Sequence, residues 1–355
     1  MRLLSIILLL LSTVPGLARA QAIETMTFNG EPPDAKSVPI LGTAWVLYAS
    51  GPIDLDAGKR LNQFLTSQRI PANSYIYLNS PGGSLVGGMN LGRIIRQHNL
   101  RTDVGSRNSD RPLGHAVAPG ECYSACALAF LGGEFRFLRG DSRYGVHRFA
   151  FQKPAPDQAD AAQIVSAALI EYIRSMDVDP GLFSLAVSAG KDAIVEPTRH
   201  QLEELNVVNN GRARPKWSIE SLDDSLYVKG EQDTVYGINK FLLVCTSKRE
   251  LFLYVIFDAQ HREDEIMHFS ADSLVIDGRR TRIEHARIER KVKNGWINAI
   301  YALNDQYLSM IRNAREVGLA MQPTSDSAYF AGFDSMPFGQ GAAKLPGLLA
   351  VCGRN

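Results

Sequence analysis

The chain has 355 residues, of which 45% are hydrophobic and 21% charged, and its formal net charge is +1. This is the composition of a globular protein with a real core, long enough for one large domain or two ordinary ones. A near-neutral total provides no overall field that would gather nucleic acid or an anionic membrane.

Residues 1–20 read as a secretory leader. Arg2 precedes the apolar run Leu3–Leu11, and Ala18-Arg19-Ala20 offers small residues for cleavage before Gln21. The run is short of the ~20 residues a membrane span needs. The expectation is therefore an exported mature chain, periplasmic or secreted, in preference to an uncleaved anchor. Residues 21–41, with Glu31-Pro32-Pro33-Asp34, read as an extended lead-in.

From residue 42 strands and helices alternate. Thr43–Ala49 is a strand candidate ended by Gly51-Pro52, and Ala57, Leu61, Phe64 and Leu65 recur at helical spacing. Ser74–Leu78 is a second short apolar strand that runs into Asn79-Ser80-Pro81-Gly82-Gly83. Leu85, Met89, Leu91, Ile94 and Ile95 then give a helix face, and Leu100–Val104 returns to strand. Such alternation predicts a parallel or mostly parallel sheet with covering helices. The polar Ser106–Gly120 reads as a loop, Ser124–Leu131 as a buried helix, and Phe135–Leu138 and Tyr144–His147 as short strands. Further helices are predicted over Gln158–Met176, after the cap Asp179-Pro180 as far as Ser188, and after Thr198.

The texture changes at Gly211-Arg212-Ala213-Arg214-Pro215. Beyond it lie strand candidates at Tyr227-Val228, Phe241–Cys245, Leu251–Phe257, Ser273–Ile276 and Ile297–Leu303, and one helix, Asn304–Glu316. The fold class expected is α/β, with a βα-repeat domain over 42–214 followed by a smaller β-rich domain over 215–355, a β-sandwich or an α+β unit. The basic runs Arg279–Arg282 and Arg287–Lys293 are interleaved with acids and read as a solvated strand face.

The four cysteines are Cys122, Cys126, Cys245 and Cys352; an even count in an exported chain favours disulfides, and four allow three pairings. The favoured pairing is Cys245–Cys352, closing a long loop, with Cys122–Cys126 bracing the turn around Ser124. On one regular helix the second pair would hold its β-carbons ~5–6 Å apart, more than the ~3.8 Å a disulfide wants. That bond therefore requires Cys122 to precede the helix. No histidine pair sits at finger spacing for a zinc site.

Three features carry chemistry: the glycine pair, which frees backbone N–H groups to face a ligand; Ser124, heading an apolar helix; and His147, closing a short strand. Together with Gly51-Pro52-Ile53, Leu78–Ser84, Ser124-Ala125, Leu131-Gly132-Gly133 and Gly145-Val146-His147, they resemble the Clp protease proteolytic subunit and its crotonase-fold relatives over about residues 42–210. They look closest to exported proteins with a Clp-protease-like domain.

The resemblance implies Ser124 as nucleophile, His147 as its base, and the Gly83 and Ala125 N–H groups as an oxyanion hole. A serine hydroxyl needs such a base at neutral pH, and one pre-aimed donor is worth about 2.7–4 kcal/mol in the transition state. The third member is implied at Asp192, with Glu196 as alternate; a dyad with a backbone or water partner for the histidine is the other option. Asn206 stands where the family usually has glycine. His115 is a spare candidate, and His98 and His200 read as helix-face or helix-end residues. Lys153 and Lys191 sit in no motif that would support a serine–lysine dyad.

The activity implied is an exported serine hydrolase, a peptidase acting on peptide or unfolded protein without metal, organic cofactor, ATP or an ATPase partner, and with homo-oligomers allowed. The competing class is a catalytically silent binding or scaffold protein of the cell envelope. Acyl-CoA chemistry, also found among crotonase-fold relatives, fits export poorly.

Overall fold

A computed structural model describes residues 25–33, 43–108, 117–150, 157–188, 190, 193–283 and 287–353. The leader, His115, Lys153, Lys191 and Asp192 lie outside the described residues.

The first sheet contains β1 (Thr27–Glu31), β2 (Val46–Ser50), β3 (Tyr75–Asn79) and β4 (Arg101–Val104), in that spatial order. β2, β3 and β4 are parallel, and β1 adds antiparallel at the edge. The lead-in read from sequence thus contains an edge strand. Thr27-Phe28-Asn29-Gly30-Glu31 has too little apolar alternation to announce itself, and backbone pairing with β2 holds it. Helices α1 (Ala57–Ser67) and α2 (Leu85–Gln97) form the crossovers. Ala57, Leu61 and Leu65 bury one stripe of α1 at four-residue spacing, and Ser84 caps α2 by accepting from Gly87 N at 3.1 Å.

Two short strands, β5 (Ser106–Arg107) and β6 (Val117–Ala118), pair with each other. β7 (Glu121–Tyr123) leads into α3 (Ala125–Phe130), whose six residues are all buried, and β7 pairs in parallel with β8 (Arg143–Gly145). Phe135–Leu138 makes only one bridge, Thr102 to Arg136, in place of the expected strand. α4 (Gln158–Ser175), α5 (Gly181–Ser188) and α6 (Arg199–Glu204) complete this half. In α4 Leu169, Tyr172 and Ile173 are buried and Val165 packs partly buried against the same core, while Ile164 is 70% exposed. The caps work as their sequences indicate: Asp179 Oδ1 accepts from Gly181 N at 2.8 Å, and Thr198 and Gln201 form a reciprocal capping box.

Arg136 is fully buried with carbonyls for partners. Its guanidinium donates to Gly133 O (2.6 Å), Asn206 O (2.7 Å), Val207 O (2.9 Å) and Met176 O (3.3 Å). Burial pushes its pKa down to about 9. Arg96 donates to the carbonyls of Leu131, Gly132, Gly133 and Met176. The two cations gather the carbonyls that end α3 and α4, which carry partial negative charge.

The second half is antiparallel. β9 (Lys216–Leu222), β10 (Ser225–Thr234), β11 (Gly237–Cys245) and β12 (Leu251–Asp258) join β15 (Arg287–Lys293) and β16 (Trp296–Ala302) in a six-stranded sheet. A four-stranded sheet holds β13 (Ala271–Ile276), β14 (Arg279–Arg282), β17 (Glu316–Gln322) and β18 (Ala331–Pro337). Asp277-Gly278 and Asn294-Gly295 have positive φ at both positions, the requirement of tight two-residue hairpins. Three helices accompany the sheets: α7 (Glu263–Met267), α8 (Asp305–Arg312), capped by Asn304, and α9 (Gly339–Val351). The predicted helix at 304–316 ends sooner, because Glu316 opens β17.

The molecule is therefore mixed α/β, with two large apolar cores, one from Met26 to Val208 and the other from Trp217 to Cys352, and a small cluster of Val46, Tyr48 and Tyr77. The basic strands are not wholly solvated. Arg290 turns inward to an ion pair with Asp272, the two side chains 4% and 3% exposed, and donates to the Ile266 and Phe269 carbonyls. This pair joins the two sheets.

Candidate active site

Ser124 sits in the one-residue step between β7 and α3 with φ 58° and ψ −119°. This is outside the ordinary left-handed basin, and a non-glycine residue stays there only when its surroundings hold it. The holding groups are visible: Ser124 N donates to Gly145 O at 3.1 Å, and Ser124 O accepts from Ala127 N at 3.0 Å. Cys122, in β7, is disulfide-bonded to Cys126, in the first turn of α3, with a Cα separation of 5.1 Å. Because Cys122 precedes the helix, the geometric objection to this bond does not apply. The second disulfide joins Cys245, at the end of β11, to Cys352, after α9.

The glycine turn lies directly against the serine. Ser80 N donates to Glu121 O at 2.7 Å and Tyr123 N to Ser80 O at 3.1 Å, so β7 continues the pairing begun by β3. The Ser80 hydroxyl accepts from Gly82 N at 3.1 Å and sets the turn. Gly82 has φ +102°, and a methyl there would lie 2.7 Å from Ser124 Cβ and 3.2 Å from Ala125 N. Gly83 has φ +138° and bridges Ile53, whose N–H donates to Gly82 O at 2.7 Å. Among the described residues no backbone acceptor is recorded for the Gly83 or Ala125 N–H.

His147 and Ser124 line one small apolar pocket of about 50 Å³, walled by Leu85, Leu128, Ile173 and Val187 among others. The expected strand over Tyr144–His147 stops at Gly145, so His147 lies just beyond β8; Val146 and Val195 exchange backbone hydrogen bonds of 2.9 and 2.8 Å, which fixes the residue before the histidine. His147 Nδ1 lies 2.9 Å from the Arg148 carbonyl. A carbonyl only accepts, so Nδ1 carries a hydrogen, and in a neutral ring that tautomer leaves the lone pair on Nε2. No hydrogen bond joins Ser124 Oγ to the ring among the described residues, and catalytic hydrogen bonds are often loose before substrate arrives.

Glu196 is committed elsewhere. It accepts from Tyr123 OH at 2.9 Å and makes an ion pair with Arg143 at 2.5 Å. The Arg143 guanidinium holds its carboxyl below the usual range, while burial and then Glu196 push the Tyr123 hydroxyl up to about 12. His98 Nε2 meets Asn62 Oδ1 at 2.7 Å, and His200 pairs with Glu204 on the surface of α6. No group of three His, Cys, Asp or Glu that could hold a metal ion occurs among the described residues.

Sequence reasoning missed three contributors. These are Gly82 as the residue of the turn packed against the serine, the Ser80 hydroxyl that sets the turn, and Arg148 as the residue whose carbonyl is the histidine's backbone partner. Ser80 left a signal, a polar residue directly between an apolar strand and a glycine pair. The carbonyl left none, because any residue supplies one.

No protein-family model matches the chain, and no curated protein matches it. Two disulfides fit an oxidising, extracellular or periplasmic environment. No helix among the described residues is long and apolar enough to cross a membrane.

Proposed function

We propose that residues 42–210 form a Clp-protease-like hydrolase unit and that the chain is an exported serine peptidase. One observation carries this reading: the strained backbone of Ser124 at a strand-to-helix step, pressed against the Gly82-Gly83 turn, with His147 on the same pocket. Strain of this kind gathers at functional sites, and a sharp strand-to-helix step is how hydrolases present a nucleophilic serine.

In this mechanism His147 Nε2 takes the Ser124 hydroxyl proton as Oγ attacks a peptide carbonyl. The Gly83 and Ala125 N–H groups receive the developing oxyanion. The imidazolium then returns its proton to the departing amine, and a water activated by the same nitrogen releases the acyl group. The Arg148 carbonyl selects the tautomer this requires, in the place an acid takes in a full triad.

Fluorophosphonate labelling of the purified exported chain tests the proposal. Wild type takes one label, Ser124→Ala takes none, and His147→Ala reacts at least ~100-fold more slowly. Equal labelling of wild type and Ser124→Ala, or no labelling of folded wild type, refutes it. The second outcome favours a silent binding protein, a reading that the absent Ser124–His147 hydrogen bond keeps in contention.

A further inference from the structure

We propose that the Cys122–Cys126 disulfide is the positioning pair of this site, so that the hydrolase becomes active only once these two thiols have been oxidised. The inference rests on the serine-hydrolase reading of Ser124.

Position is the first argument. The bond encloses only Tyr123, Ser124 and Ala125, which are the serine, the residue carrying the second oxyanion donor, and one neighbour. A Cα separation of 5.1 Å across this short ring denies the chain most alternatives to the φ 58°, ψ −119° step. The hydrogen bonds Ser124 N to Gly145 O and Ala127 N to Ser124 O tolerate sliding of the first helical turn; a covalent ring does not.

The second argument is linkage to the glycine turn. The strand residue Cys122 is flanked by Glu121 and Tyr123, and their O and N–H are the groups that pair with Ser80. Ser80 in turn holds Gly82 N through its hydroxyl. One cross-link therefore fixes the serine, the Ala125 donor and the turn bearing the Gly83 donor.

Burial is the third argument. Cys122 and Cys126 are both 0% exposed and belong to the same core as Leu128 and Phe130. In the folded protein no oxidant or reductant reaches the sulfurs, so the bond must form while the chain is still folding and is protected afterwards. The device acts in one direction. The Cys245–Cys352 bond is different in kind. It lies in the other core and spans a sequence separation of 107.

The chemistry is a two-electron exchange. Two S–H bonds break and one S–S bond forms; two protons leave, and two electrons pass to a disulfide-bearing oxidant, which departs as two thiols. While the thiols remain reduced, the step at Ser124 can relax toward helical backbone. Its hydroxyl then leaves the amide cradle, and the chain is silent in the reducing compartment where it is made.

The experiment compares oxidised wild type, Cys122→Ala/Cys126→Ala and Cys245→Ala/Cys352→Ala by fluorophosphonate labelling, with circular dichroism to confirm folding. The expected result is a maximal labelling rate about 100-fold lower in the first variant, with reagent affinity changed less than about threefold, and a wild-type rate in the second. A folded Cys122→Ala/Cys126→Ala that labels at the wild-type rate overturns the proposal and leaves the serine reading standing. An unlabelled oxidised wild type overturns both. Should the first variant not fold, denatured wild type is refolded across graded ratios of reduced and oxidised glutathione. Labelling must then track the Cys122–Cys126 bond, measured by peptide mass; full labelling with those thiols free overturns the proposal.

Discussion

Gly82→Ala tests the site geometry most directly, because the structure supplies its own control. At φ +102° an alanine is strained wherever it stands, at about 1–3 kcal/mol. The added methyl would also lie 2.7 Å from Ser124 Cβ and 2.7 Å from the Tyr123 carbonyl, and that carbonyl is backbone with little room to yield. Overpacking of this kind adds about 1–3 kcal/mol, and the lower entropy of the unfolded alanine chain returns about 0.4–1. The net loss is about 1–5 kcal/mol. Gly140 also has positive φ, +62°, yet a methyl there meets nothing within 4 Å. Gly140→Ala therefore carries strain alone, about 1 kcal/mol. Thermal melting followed by near-ultraviolet circular dichroism should place Gly82→Ala roughly 5–15 °C below wild type and Gly140→Ala within about 4 °C. Fluorophosphonate labelling should fall at least ~100-fold in Gly82→Ala, since displaced donors no longer meet the oxyanion, and stay unchanged in Gly140→Ala. If the two variants melt together and label alike, the contact between the glycine turn and Ser124 is not what shapes this site.

Three other outcomes are expected. Arg136→Met strands the Asn206 and Val207 carbonyls and leaves those of Gly133 and Met176 to Arg96 alone, and urea unfolding should register a loss of about 3–5 kcal/mol. Cys245→Ala/Cys352→Ala opens a link with a sequence separation of 107, and the unfolding of the β-rich half should lose about 4 kcal/mol in denaturant titration. The Arg60 guanidinium holds the Asp54 carboxyl down to about 2, against an ordinary 3.8. A depressed folded-state pKa stabilises above the unfolded value, and that contribution drains away as pH falls from about 4 through 2. Both side chains are about a third exposed, so screening limits the effect to about 1 kcal/mol. Asp54→Asn should melt below wild type at pH 7 by the equivalent of about 1 kcal/mol, flatten the acid limb between those pH values, and coincide with wild type once pH falls below about 2.

What could be read from sequence was what is decided locally. Helix stripes such as Ala57, Leu61 and Leu65, the Asp179 and Thr198 caps, and the glycine turn all announce themselves within a few residues. So did the serine at the head of an apolar helix. Asn206 is instructive, because it replaces an expected glycine and yet adopts φ 56°, a conformation asparagine tolerates, with its Nδ2 donating to Asp177 O at 2.6 Å. Long-range choices were not legible. Nothing in Thr27–Glu31 says that β2 has an open edge, nothing in the basic run 287–293 says that Arg290 turns inward, and nothing local sends Glu196 to Arg143. Each depends on a partner tens of residues away, whose position the fold alone decides.

The segment between the two cores does not hang loose. Ala213 N donates to Asp233 O at 2.8 Å and Val235 N to Gly211 O at 2.9 Å; Gln232 Nε2 reaches Ala213 O at 2.9 Å, and Arg212 pairs with Asp334. The peptide that a domain map would choose for a cut is thus woven into the far end of β10. Proteases that nick flexible tethers should pass over it, and splitting the gene there would tear a seam, leaving each fragment with a frayed border.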